Sequence, residues 1–166
     1  MVQKFSVAAL DLTSDRSGFA CGVEPLDRYF RTQVSQDIVR RVTACFVATD
    51  ANGQVAGYYT LASASVLLTS LPEARAKKLP RYPSIPAVRM GRLAVDQGFQ
   101  GEGLGAALLA DALRRAVAAE IAAYAFLVDA KDASAARFYA HHGFMALPDQ
   151  PLCLFIALAT VQHLVK

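Results

Sequence analysis

The sequence predicts an α/β chain, of the α+β kind: a mixed, mostly antiparallel sheet of six to seven strands with helices on both faces. Three observations predict it. Short apolar runs of strand character alternate with segments whose apolar residues recur at three- and four-residue steps; an Asn52-Gly53 pair joins two strand-like runs; and a glycine-rich stretch, QGEGLG at 100–105, stands where a strand gives way to a helix.

Taken in order, residues 3–10 read as a first short strand. Pro25 suits the first turn of a helix, where its missing N–H costs nothing, and Leu26, Tyr29, Phe30 and Val34 carry the helical spacing on towards Arg41. TACFVAT and QVAGYYTLASASV flank the Asn52-Gly53 turn and read as an antiparallel pair. The segment LTSLPEARAKKLPRYPSIP contains four prolines, which predicts a short helix over 72–78 followed by an extended connection. AVRMGRLAV resumes strand character, and Leu104, Leu108, Leu109 and Leu113 repeat with helical period. AYAFLVDA is a buried-looking strand, ASAARFYAHH a short helix ended by Gly143, and LCLFIAL the last strand.

Composition sets the outer limits. With 54% hydrophobic and 19% charged side chains over 166 residues, a single domain over 1–166 is expected, with no internal repeat. No apolar run approaches the roughly 18 residues that cross a bilayer, and MVQKFSVAALDLTSDR is too interrupted for a signal peptide, so a cytoplasmic protein with no membrane partner is expected. Cys21, Cys45 and Cys153 are odd in number and lack C-x-x-C spacing, which predicts buried, reduced thiols and no metal site. The net charge of +3 says little, but its distribution says more. Arg75, Lys77, Lys78, Arg81, Arg89 and Arg92 crowd one stretch, and Arg28, Arg31, Arg40 and Arg41 another, as in a surface that meets phosphates.

The glycines define the chemistry. A strand that ends in such a turn and opens a helix presents unpaired N–H donors at the positive end of the helix dipole, and Gly101, Gly103 and Gly105 let a pyrophosphate come close to them. A phosphate loop of the Lys-Ser/Thr type is excluded, since no such pair follows. A dinucleotide fold matches Gly101, Gly103 and Ala106, with Asp129 as the ribose acid, but only 37 residues follow Asp129, too few for the remaining βα units.

Read as Gln100-x-x-Gly103-x-Gly105, preceded by RLAVD and followed by RFYAHHGF, the chain resembles the GNAT superfamily of acyl-CoA-dependent N-acetyltransferases over residues 88–144. The resemblance implies a GNAT-like sheet splayed in the middle and acetyl-CoA as cosubstrate, with no metal. It implies that the main chain of Gln100, Gly101, Glu102, Gly103, Leu104, Gly105 and Ala106 binds the CoA pyrophosphate, and that Leu93, Ala94 and Val95 pair with the pantetheine arm. Many relatives carry an asparagine near CoA at the start of the next helix; here the helix begins Lys-Asp-Ala-Ser, which places Ser134 in that role, with Phe138 further along the same segment.

Acetyl transfer needs a neutral amine, a polarised thioester carbonyl and a proton for the departing thiolate. Tyr139 is the candidate acid: a phenol stays protonated at neutral pH, and by resemblance it points towards the CoA sulfur. The N–H of Leu93 is the candidate for polarising the carbonyl. No carboxylate or histidine stands out as a base; His141 and His142 are adjacent and diverge on a helix. That favours an α-amine, already partly neutral near pH 8, over a lysine side chain.

Taken in order, FACGVEPLDRYF, QDIVRR, GYYTL, LPRYPSIPAVRMGRLAVD and RFYAHHGF are similar to the GNAT toxins of bacterial toxin–antitoxin modules. This implies acetylation of the α-amine of aminoacyl-tRNA, inhibition of translation, a homodimer and a ribbon-helix-helix antitoxin. Arg40, Arg41, Lys77, Lys78, Arg81, Arg89 and Arg92 are the candidate tRNA contacts. A GNAT acting on a small amine or a protein N-terminus, and a CoA-binding or partner-binding module without turnover, are the alternatives.

Overall fold

The computed structural model describes residues 4–163, so the first residue of the expected opening strand lies outside the described residues. Seven strands form one sheet in the order β1-β2-β3-β4-β5-β7-β6. They are β1 (Ser6–Ala9), β2 (Ala44–Thr49), β3 (Val55–Leu67), β4 (Ser84–Val95), β5 (Ala125–Asp129), β6 (Met145–Leu147) and β7 (Gln150–Ala157). The helices are α1 (Glu24–Thr32), α2 (Val34–Val39), α3 (Glu73–Ala76), α4 (Leu104–Ala118), α5 (Ala133–His141) and α6 (Leu158–Gln162). The pairs β1/β2, β2/β3, β5/β7 and β6/β7 are antiparallel and β4/β5 is parallel, which gives the expected mixed, mostly antiparallel sheet.

Chain contacts divide the molecule into two units: the chain up to Ala62 with Gly91–Ala112, and Ser63–Met90 with the chain from Leu113 onward. In the first unit, Pro25 does open α1, but the expected single helix to Arg41 is two. Gln33, at φ −121°, leaves the helical region, and α2 starts again at Val34. The aromatic pattern explains why both helices pack. Phe30 stacks on Tyr58 with ring centroids 4.4 Å apart, Phe19 closes on both, and the Tyr58 hydroxyl donates to the Leu26 carbonyl at 2.7 Å. The β2–β3 turn is built by Asp50, whose carboxylate accepts from the N–H groups of Asn52 and Gln54 at 2.9 Å each, with Gly53 at φ +80°.

Gly57 on β3 marks a tight approach to backbone in this unit. A β-carbon there would lie 2.9 Å from the Ala94 carbonyl oxygen and 2.9 Å from a Leu108 methyl. Gly57→Ala is therefore expected to overpack the contact and lower stability by roughly 1–3 kcal/mol, read as a fall of several degrees in Tm. An unchanged Tm would show that β4 and α4 have room to retreat.

In the second unit, β5 is buried from Ala125 to Val128, with β7 antiparallel beside it and Ala87–Met90 of β4 parallel on its other side. Two elements depart from expectation. β4 begins at Ser84 and takes in Pro86, whose carbonyl still accepts from the Tyr124 N–H at 2.9 Å. The helix expected over 72–78 is confined to the four residues of α3. The far end of β3, from Ser63 to Leu67, delivers Val66 to a core with Leu71, Ile85, Leu127, Leu147 and Phe155.

Candidate active site

The loop at 100–103 has the backbone that its glycines allow. Gly101 and Gly103 lie at φ +82° and +80°, a region that L side chains avoid, and a β-carbon at either would meet nothing within 4 Å. Gly105 lies within α4, so two of the three glycines serve the turn and the third the first helical turn. Leu104 and Leu108 are buried and anchor α4, whose first-turn N–H groups have no partner within the helix. Such a cradle fits a pyrophosphate.

The loop's side chains are occupied otherwise. The Gln100 amide donates to the carbonyls of Cys21 and Val95, at 2.9 Å each, so this side chain is engaged in holding the loop. Glu102 pairs with Lys4 at 3.1 Å, both exposed, which offsets the one acid in the cradle. Leu93–Val95 close β4, beyond Met90, which pairs with Val128 of β5; Ala94 is buried, with its carbonyl towards Gly57.

Tyr139 sits in the second unit on α5. Asp132 caps that helix by accepting from the Ala135 N–H at 2.8 Å, which leaves Ser134 exposed in the first turn and Phe138 half-buried. Tyr139 itself is buried among the rings of Phe138 and Phe144, at centroid distances of 5.3 and 5.7 Å. Burial, with the negative field of Asp129 second, pushes its hydroxyl up to about 12. The phenol is thus a protonated donor through the whole physiological range.

The basic residues separate into two groups. Arg40 and Arg41 are exposed at the end of α2, where Arg41 takes φ +61°, and Lys77, Lys78 and Arg81 are exposed after α3. Arg89 instead holds both oxygens of Asp129, at 2.6 and 2.7 Å. The guanidinium of Arg92 lies 3.4 Å from the ring centroid of Tyr29, whose hydroxyl donates to Asp37 at 2.7 Å. Of the thiols, Cys45 and Cys153 are buried as expected, while Cys21 is half-exposed. Among the described residues, no cluster of His, Cys, Asp or Glu is placed to hold a metal ion, and no helix is long and apolar enough to cross a membrane.

One buried acid was not visible in the sequence pattern. Asp27 is buried in α1, and its carboxylate accepts from the N–H groups of Cys21 at 2.8 Å and Gly22 at 3.4 Å. The only signal was its place in FACGVEPLD, where an acid on an otherwise apolar helix face could have suggested a buried anchor.

Comparison with known proteins meets this geometry. Residues 41–146 match the acetyltransferase (GNAT) domain. A Mycobacterium tuberculosis protein named tRNA-acetylating toxin is 37% identical over 153 residues, covering 91% of this chain and 90% of the relative. The structure of AtaT complexed with acetyl-methionyl-tRNAfMet superposes with a TM-score of 0.89 at 29% identity, covering 98% of this chain and 99% of that one. A tyrosine-to-phenylalanine mutant of the AtaT toxin, bound to the C-terminus of the antitoxin AtaR and acetyl-CoA, has a TM-score of 0.84 at 25% identity and covers 99% of each chain. By its domain match and its 37% identical relative, this chain belongs to the GNAT acetyltransferase family.

Proposed function

We propose that this protein transfers the acetyl group of acetyl-CoA to the α-amino group of aminoacyl-tRNA and so blocks use of that amino acid in translation. The observation that carries the reading is the open, positive-φ loop at Gly101 and Gly103, which leads into the buried start of α4. A relative that acetylates tRNA and a neighbour holding acetyl-methionyl-tRNAfMet support the acceptor. Acetyl-CoA supplies an acetyl group activated as a thioester.

The chain's residues then take distinct tasks. Main-chain N–H groups of Gln100–Ala106 bind the pyrophosphate, Leu93–Val95 align the pantetheine, and the Leu93 N–H polarises the carbonyl. Ser134 and Phe138 flank the cofactor. Tyr139 donates the proton to the departing thiolate, and the proton that the attacking amine sheds on becoming an amide restores the phenol. The α-amine needs no strong base, because a useful fraction is neutral near pH 8. Residues 1–166 act as one catalytic domain.

For the acceptor, Arg40, Arg41, Lys77, Lys78 and Arg81 are the contacts best placed for a phosphate backbone, being exposed. Arg89 and Arg92 contribute from positions already set by Asp129 and Tyr29. Arg81→Glu is expected to slow tRNA acetylation and flatten its dependence on salt; an unchanged salt slope would remove Arg81 from the interface. The protein works in the cytoplasm as a homodimer restrained by a ribbon-helix-helix antitoxin; the neighbour bound to AtaR supports an antitoxin partner.

Labelled acetyl-CoA, incubated with charged and uncharged tRNA, tests the assignment. Label on charged tRNA alone supports it. Label on neither, with transfer to a small amine or a protein N-terminus, moves the chain to another acceptor; binding without any transfer makes it a non-catalytic module.

A further inference from the structure

We propose that Asp27 and Gln100 are positioning residues for cofactor binding, which together hold the Ala20–Gly22 segment as a strut behind the phosphate loop. The inference rests on the reading of residues 100–106 as a pyrophosphate cradle.

The strut has no regular structure, yet its main chain is bonded along its length. The Ala20 N–H donates to Asp96 at 3.0 Å, and the Ala20 carbonyl accepts from the Gln97 N–H at 2.8 Å. The N–H groups of Cys21 and Gly22 donate to the two oxygens of Asp27, and the Cys21 carbonyl accepts from the Gln100 amide. A segment so fully bonded cannot drift without breaking several bonds at once. Asp27 is only 4% exposed, and a buried carboxylate of this kind is tolerated because two N–H donors replace its water.

Gln100 joins this strut to the cradle. The same amide nitrogen reaches the Cys21 carbonyl and the Val95 carbonyl, so the first residue of the loop is tied both to the strut and to the end of β4. Gly22, at φ +97°, keeps the junction close; a β-carbon there would come within 2.7 Å of the Gln97 side-chain nitrogen. The tie matters because glycines at 101 and 103 allow the backbone many conformations, while several N–H donors must converge on one anion. Gln100 is exposed, so its bonds add little to global stability, and their effect falls on the loop.

Two acetyl donors separate this role from general damage. Acetyl-pantetheine has the thioester and the pantetheine arm of acetyl-CoA but no pyrophosphate. Gln100→Ala is expected to raise KM for acetyl-CoA roughly tenfold with kcat within about twofold, and to raise KM for acetyl-pantetheine by a much smaller factor. Gln100→Arg, which restores donors for both carbonyls, should recover most of the affinity, and Asp27→Asn, which keeps one acceptor, should show the same selective loss on a smaller scale. If Gln100→Ala keeps its KM for acetyl-CoA, or loses both donors equally, the positioning role is overturned. A wild-type enzyme that does not prefer acetyl-CoA to acetyl-pantetheine overturns the cradle reading itself, a result visible before any variant is made.

Discussion

Tyr139→Phe is expected to lower kcat for acetyl transfer by roughly 10²–10³-fold while leaving KM for acetyl-CoA within about threefold. The substitution removes one oxygen and keeps the ring that packs against Phe138 and Phe144, so the fold and cofactor contacts persist. A phenol pushed up to about 12 is a weaker acid than an exposed tyrosine. Low-dielectric surroundings of this kind disfavour a thiolate formed beside the phenol in the same way, which favours transfer of the proton. The pH profile follows with a definite sign. The raised value keeps Tyr139 protonated well above pH 10, so activity should climb through pH 7–8.5 as the acceptor amine loses its proton, with no fall from Tyr139 before the strongly alkaline range. The same shift bears on stability. The folded value lies above the unfolded one, so this contribution is complete below about pH 10 and is lost as pH rises towards 12. Full activity in the phenylalanine variant would assign the proton to another donor.

How much of this was legible in the sequence depends on the range of the interactions concerned. Helical spacing at Leu104, Leu108 and Leu109, the Asn52-Gly53 turn and the apolar run of β5 are local patterns, and each formed the element expected of it. The break at Gln33 was invisible because spacing of apolar residues continues across it; only the backbone shows that Val34 starts a new helix. β6 is three residues long, too short for any alternation to register, and it exists because β7 offers it a partner. Pro86 inside β4 ran against local preference, and the strand tolerates it because its carbonyl, not its missing N–H, is what Tyr124 uses.

The site divides in the same way. The glycine loop and Tyr139 are carried by short motifs, and the structure adds the reasons: positive φ at Gly101 and Gly103, and burial around the phenol. Gln100 and Asp27 owe their roles to partners that no local motif announces. Gln100 meets Cys21 across 79 residues, which no spacing rule reveals. Charge counting likewise placed Arg89 and Arg92 with the other cations, although Asp129 and the face of Tyr29 already engage them. Composition reports that a cation is present, and only geometry reports what holds it in place.

Gly103→Val should weaken acetyl-CoA binding by roughly 100-fold or more, a loss that needs no clash within the free protein. A β-carbon at Gly103 meets nothing within 4 Å, so the unliganded chain accommodates the side chain apart from the strain of φ +80°, about 1–2 kcal/mol. Gly53 supplies an internal control. It has the same φ of +80° and the same open surroundings, but lies in the β2–β3 turn, outside residues 100–106. Gly53→Val should therefore lower Tm about as much as Gly103→Val and leave acetyl-CoA affinity untouched. The difference in affinity between the two variants, measured by calorimetry, isolates what the valine displaces at the start of α4. That is the pyrophosphate, if the loop is its cradle. Equal acetyl-CoA affinities in the two variants would mean that the cofactor binds elsewhere, and that the glycines at 101 and 103 serve only to turn the chain into its helix.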